Sequence, residues 1–289
     1  MSSTARLLVS GASGQLGQQV LEFLIEQGAQ QVIATSRDPS KLERFRESGV
    51  ELRQADLDQP ASLLDAFRGA ERLLLISTDS LGRRVAQHEA AVVAAKRAGV
   101  KHIIYTSVPS PENSASSIAP EHLATEKLIE ASGLTYTILR NHLYVDNFLH
   151  SLPPALEMGK LFAAVNNQKG AGYVTREDCA RVAAAVHNSN DTENRILDVS
   201  GPAVVHYSEI AKWVSDLMKR PLEFVPVPFE SHLAALENAG LPPVMARVLA
   251  TFDHAISKGE YASTSQTVQE WTGQEPISVG DFLKQKFKP

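Results

Sequence analysis

Gly11, Gly14 and Gly17 stand between an apolar run and a helix-periodic stretch, and no other feature constrains the fold of this chain as tightly. Leu7, Leu8 and Val9 precede them, while Leu16, Val20, Phe23 and Leu24 follow at helical spacing, so the stretch reads as strand, glycine turn, helix. Glycines let a backbone approach a pyrophosphate closely, and the free N–H groups and dipole at a helix start favour its negative charge. Glycine turns also simply join strands to helices, and the pattern alone leaves both readings open. Its place at the first βα turn of an alternating chain favours the dinucleotide site. Gly14 is expected to admit no side chain, because a phosphate approaches there and because its backbone angle is one that branched residues disfavour.

The alternation continues. Strands are expected at 31–36, 50–56, 72–77, 100–107 and 134–139, separated by helices at about 39–48, 60–68, 83–98 and 120–131. Such a series gives parallel strands with right-handed crossovers, hence an α/β, doubly wound parallel sheet of Rossmann type. Residues 108–119 are rich in Pro and Ser and read as a loop at the carboxyl edge, where loops border the ligand crevice. Beyond Arg140 the elements shorten and two Pro-Pro pairs appear, Pro153-Pro154 and Pro242-Pro243. We therefore expect a nucleotide-binding domain over 1–140 and a smaller C-terminal substrate lobe over 141–289. Residues of about 170–200 are expected to pack back on the sheet, with Thr175 capping a small-residue helix.

Composition excludes several classes. With 289 residues, 43% apolar and 21% charged, and a net charge of −5, the chain has the make-up of a globular protein and no electrostatic footprint for nucleic acid. Its single cysteine excludes an internal disulfide, and the scattered histidines suggest no metal site. No apolar run approaches the roughly 18 residues of a membrane span. A soluble, cytoplasmic protein is the expectation, and whether copies form a homo-oligomer is left open.

NAD-binding sites of this kind carry an acid about 20 positions beyond the glycines, on the ribose 2′-hydroxyl. Here the residue 20 beyond Gly17 is Arg37. Ser36, Arg37 and Lys41 together offer a 2′-phosphate a hydroxyl, a fork of donors and a point charge, so NADP(H) is favoured. Arg37 and Lys41 could also be solvated surface charges, and Asp38 keeps NAD as an alternative.

Ser10-Gly-Ala-Ser-Gly-Gln-Leu-Gly17, Ala55-Asp-Leu-Asp58, Tyr105-Thr-Ser107, Glu121-His-Leu-Ala-Thr-Glu-Lys127 and Leu139-Arg-Asn-His-Leu-Tyr144 together resemble the atypical short-chain dehydrogenase/reductases. Within them the chain is most similar to the NmrA-like subgroup and its NADPH-dependent quinone oxidoreductases and triphenylmethane-dye reductases. The resemblance spans nearly the whole chain, including Ala255-Ile-Ser-Lys-Gly259. It implies that Gly11, Ser13, Gly14, Gln15 and Leu16 surround the pyrophosphate and that Arg37 meets the 2′-phosphate. It further implies Asp56 and Leu57 beside the adenine, and Ile76 and Ser77 beside the adenosine ribose. Asp56 capping a turn and Ser77 merely ending a strand are the plainer alternatives.

One departure concerns chemistry. Relatives use Tyr-x-x-x-Lys, whose phenol hands a proton to a carbonyl oxygen, but four residues before Lys127 stands Leu123. Ser107 takes the position of the family's serine and is a poor acid by itself. Lys127 either touches the nicotinamide ribose, as in relatives, or is an exposed lysine. Tyr144 and Asn141 follow the sixth strand on the edge expected to hold the nicotinamide, where a ring can pack on a planar acceptor and an amide can contact it. His122 and His142 are weighed as structural or site histidines, and Cys179 as a packing residue.

The sequence thus points to an NADPH-dependent reductase passing a hydride to a quinone or similar planar, electron-poor small molecule. The alternatives are an NADP(H)-binding redox sensor without turnover and, less favoured without Tyr-x-x-x-Lys, a sugar-nucleotide epimerase or reductase.

Overall fold

The strands are β1 (Leu7–Ser10), β2 (Val32–Ser36), β3 (Glu51–Gln54), β4 (Arg72–Leu75), β5 (His102–Ser107), β6 (Thr135–Asn141), β7 (Lys160–Ala163), β8 (Arg195–Val199) and β9 (Glu223–Pro226). The helices are α1 (Gln15–Glu26), α2 (Leu63–Phe67), α3 (Arg84–Ala98), α4 (Ala119–Ala131), α5 (Phe148–Met158), α6 (Arg176–His187), α7 (Tyr207–Met218), α8 (Phe229–Asn238), α9 (Pro243–Ser257), α10 (Thr267–Thr272) and α11 (Val279–Lys286). They come from a computed structural model that describes residues 5–166 and 168–288. Seven strands pair in the order β3-β2-β1-β4-β5-β6-β8, every pair parallel. This is the doubly wound Rossmann-type sheet, its order reversing between β1 and β4.

Each central strand is apolar on both faces because helices cover both. Leu7, Val9, Leu74, Ile104 and Leu139 face one core with α1 and α6. Leu8, Leu73, Leu75, Ile103, Tyr105 and Ile138 face the other, with α2, α3 and α4. Each large side chain so removed from water contributes roughly 1.5–3 kcal/mol. Arg72, buried at the start of β4, joins sheet to helix: it donates to the carbonyls of Val186 (3.0 Å), His187 (3.0 Å) and Asp191 (2.7 Å). A cation thereby satisfies orphan acceptors at the C-terminus of α6.

Thr175 caps α6, its Oγ1 accepting from the Asp178 N–H at 2.9 Å. The segment expected as a helix over 39–48 is a 3-10 helix instead, capped by Asp38 and opened by Pro39. Pro242 and Pro243 open α9, where a missing N–H costs nothing. Pro153 and Pro154, by contrast, lie inside α5 rather than interrupting it. The apolar face of that helix, with Phe148, Leu152, Ala155 and Leu156 buried, holds it against the second lobe.

That lobe has its own core, drawn from residues 145–173 and 205–283, and a two-stranded parallel sheet of β7 and β9. Phe148, Tyr173, Tyr207 and Phe224 stack through it with ring centroids 5.2–5.4 Å apart. Close backbone approaches bring the lobe to the sheet. A side chain on Gly172 would strike the Ser263 carbonyl, and one on Gly201 the Tyr173 carbonyl. Among the described residues, no helix is long and apolar enough to cross a membrane.

Candidate active site

The three glycines of the first turn have three different duties. Gly11 has φ +77°, a conformation that only glycine adopts without strain. Gly17 packs α1 onto the turn, since a Cβ there would lie 2.6 Å from the Gly11 carbonyl oxygen and 2.7 Å from Ala12 Cα. Gly14, the N-cap of α1, has φ −73°, so the unusual backbone angle expected for it is absent. A Cβ on Gly14 would meet only the Gly11 carbonyl oxygen, at 3.4 Å. Neither φ nor packing demands glycine there; Gly14 borders the cleft.

That cleft, of about 470 Å³, follows the carboxyl edge of the sheet. Gly11, Ser13, Gly14, Gln15 and Leu16 line its middle, Arg37, Asp56 and Leu57 one end, and Ile76, Ser77 and Tyr144 the remainder. One edge gathers them because all strands of the sheet are parallel. Ser13 is tied to the end of β2 by the Ser36 hydroxyl, which donates to Ser13 Oγ at 2.9 Å and accepts from the Asp38 N–H. Asp38 turns away to cap the 3-10 helix, its carboxylate accepting from the Ser40 N–H (3.1 Å) and Ser40 Oγ (2.6 Å). Those hydrogen bonds hold its pKa below the usual value. Arg37 is exposed and has no side-chain partner among the described residues. Lys41 is exposed on the 3-10 helix and does not line the cleft.

At the other end stands Tyr144; Asn141 is buried behind it, outside the cleft lining, its Nδ2 donating to the Tyr144 hydroxyl at 3.1 Å and its Oδ1 without a partner among the described residues. The Arg176 guanidinium lies over the Tyr144 ring, 5.0 Å from its centroid. Burial raises the phenol's pKa well above its usual value, so the group stays a neutral donor. Ser107 and Lys127 stand outside the cleft lining. The Ser107 hydroxyl donates to Glu126, which Arg140 also holds at 2.6 Å, and Lys127 is exposed on α4. Thr106, the neighbour of Ser107, lines the cleft and accepts from the Ser77 N–H at 2.9 Å.

His122 is buried with its Nδ1 2.8 Å from the Tyr105 hydroxyl, and His142 is buried beside Tyr261. Burial pushes His142 down to about 4, so its imidazole is neutral. Cys179 is wholly buried in the core between α1 and α6, its thiol pKa raised by that burial. Among the described residues, no cluster of three His, Cys, Asp or Glu could hold a metal ion. A second hollow of about 490 Å³ lies between α7 and α11 and shares no lining residue with the cleft.

Sequence reading missed several lining residues: Thr106, Arg176, Gln87, Asp58 and the run Thr78, Asp79, Ser80. The run and Asp58 follow strand ends on the same edge, a signal that was available. Gln87 bridges two walls, accepting from Thr78 Oγ1 (2.7 Å) and donating to Asp58 Oδ1 (2.8 Å), a relation that only folding creates.

The reversing sheet, the glycine turn and the cleft beyond it define a Rossmann-type dinucleotide-binding protein. The chain belongs to the NmrA-like family, whose model matches residues 3–279. It is 35% identical to quinone oxidoreductase 2 of Escherichia coli (strain K12), over 97% of this chain and 98% of that one. It superposes on the NADPH-dependent quinone oxidoreductase of Escherichia coli complexed with NADPH with a TM-score of 0.93, at 33% identity, covering 98% of this chain and 100% of that one. The Citrobacter sp. triphenylmethane reductase complexed with NADP(H) gives a TM-score of 0.90 at 36% identity, covering 96% and 99%.

Proposed function

We propose that this chain is an NADPH-dependent reductase acting on a quinone or a similar planar, electron-poor acceptor. The carrying observation is the cleft itself, which runs from Arg37, whose side chain has no partner among the described residues, past the open face of Gly14, to a tyrosine ring held by Arg176 and Asn141. Its residues fit NADP(H): the exposed Arg37 guanidinium suits the 2′-phosphate, and the start of α1 with a bare glycine suits the pyrophosphate. The similarity to NADPH-bound reductases supports the same reading.

When bound, the reduced cofactor supplies the hydride, which is the hard part of the chemistry. The chain's own share is to bind, orient and exclude water. Tyr144 and Asn141 are proposed to position the acceptor, the ring by packing and the hydroxyl and amide by donating hydrogen bonds. No tyrosine stands in register with Lys127, and a quinone needs none, since conjugation spreads the charge it receives and water can supply the later proton. Ser107 and Lys127 enter this reading only through the family resemblance.

Steady-state oxidation of NADPH with a panel of quinones and cationic dyes is the test. Turnover with a quinone, and preference for NADPH over NADH, is the expected result. Tight NADPH binding without turnover of any acceptor would overturn the reading in favour of a cofactor sensor.

A further inference from the structure

Among the described residues, two cationic side chains line the cleft, Arg37 and Arg176, against the carboxylates of Asp56, Asp58 and Asp79. Arg37 stands at the end of β2, but Arg176 is the first residue of α6. α6 packs along α1, both begin at the carboxyl edge, and Leu16, Tyr144 and Cys179 share the core between them. The Arg176 side chain therefore enters the cleft beside the start of α1, where the glycine turn leaves its face open. Asp146 fixes it: Oδ2 accepts from the Arg176 N–H at 2.8 Å and Oδ1 from Nη1 at 3.0 Å. The guanidinium face is set by Tyr144. Nε and Nη2 make no hydrogen bond among the described residues. A guanidinium anchored through one nitrogen, stacked by its face and open along its other N–H groups is preorganised to donate to an anion.

We propose that Arg176 is the second anion contact of this site, donating to the pyrophosphate that NADPH and NADH share, while Arg37 serves the 2′-phosphate that NADPH alone carries. The inference rests on the reading of NADP(H) as cofactor and is independent of the acceptor. A polyanion meets three aspartates in this cleft, and the helix dipole alone gives the pyrophosphate only partial charge to offset them. Arg176, paired with Asp146 through Nη1, adds its Nε and Nη2 donors to that partial charge. Because the same side chain covers Tyr144, cofactor binding and the orientation of that ring pass through one group.

The test is titration of NADPH and NADH, without acceptor, against the wild type, Arg176→Gln and Arg176→Lys. Arg176→Gln should weaken both cofactors by a similar factor, roughly ten- to hundredfold, the size of a lost charge-assisted contact. Its affinity should also depend less on ionic strength than that of the wild type. Arg176→Lys, which keeps the charge, should recover much of the loss. Unchanged affinity for both cofactors in Arg176→Gln would overturn the proposal. So would equal losses in Gln and Lys, because packing on Tyr144 rather than charge would then be responsible. A loss confined to the KM of a quinone would also overturn it and assign Arg176 to the acceptor. Since binding is read without turnover, a protein that reduces no quinone can still pass this test, and the two readings fail separately.

Discussion

The Ser107 hydroxyl donates to Glu126 Oε1 at 2.6 Å, on the face of the sheet covered by α4. Strand parity produces that contact. Ser107 shares its side with Ile103 and Tyr105, which pack toward α2, α3 and α4, whereas Thr106 shares its side with Ile104, toward α1 and α6. The next strand obeys the same rule: Arg140 joins Glu126, and Asn141 joins Tyr144. Ser107→Ala should therefore leave the single-turnover rate within about twofold while lowering stability by about 1.5 kcal/mol, the low end for a hydrogen bond to a charged group. Stopped flow and denaturant melts read the two quantities. A rate loss of more than about tenfold in a folded variant would place Ser107 at the acceptor after all.

Arg37→Ala should weaken NADPH roughly ten- to hundredfold and barely alter NADH, because only NADPH carries a 2′-phosphate for the exposed guanidinium. Fluorescence titration of both cofactors is decisive. Equal affinity of the wild type for the two would refute the assignment.

Gly14 and Gly17 should separate binding from folding. Gly14→Val introduces no backbone strain at φ −73° but fills the open face of the turn, so cofactor binding should fall while the melting temperature holds. Gly17→Ala forces a Cβ to within 2.6 Å of a carbonyl oxygen and should destabilise the fold itself, by about 1–3 kcal/mol for a single methyl that cannot be accommodated. Thermal melts with and without NADPH distinguish them. If Gly14→Val binds as tightly as the wild type, this turn is not the cofactor site.

Lys127→Ala should leave hydride transfer largely intact, whereas Tyr144→Ala and Asn141→Ala should impair use of the acceptor by about tenfold or more through lost positioning. Single-turnover rates across pH, with cofactor binding checked separately, keep product release from masking chemistry. Abolished transfer in a Lys127→Ala protein that still binds NADPH would reveal an acid/base relay.

Five buried histidines should make the protein acid-labile. Burial lowers His88 to about 3, with nearby Arg84 adding to the effect, and lowers His102 and His142 to about 4. His122 and His187 are held well below 6.5 for the same first cause. The unfolded chain takes up these protons near pH 6.5 and the native state does not. Stability is thus fully present above that pH and falls as pH drops toward the folded values, by up to about 1.4 kcal/mol per histidine per pH unit. Urea midpoints at pH 7 and pH 5.5 measure it, and equal midpoints would show that the imidazoles are not held neutral.

The sequence by itself determined six of the seven strands of the sheet, all but β8, together with the glycine turn, the helix started at Thr175 and the residues that end those strands. Those are local properties: hydrophobic period, capping chemistry and the need for glycine at a tight turn act over a few residues. Tertiary structure alone decided which neighbour faces the cleft, Thr106 or Ser107. A strand apolar on both sides carries no parity signal, and only the helices packed above and below assign its faces. Pro153 and Pro154 lie within a helix because burial of its apolar side outweighs two missing donors. Arg176 meets Tyr144 across 32 positions of sequence for a similar reason: α6 must return to cover the sheet beside α1, and that return carries a cation into the cleft.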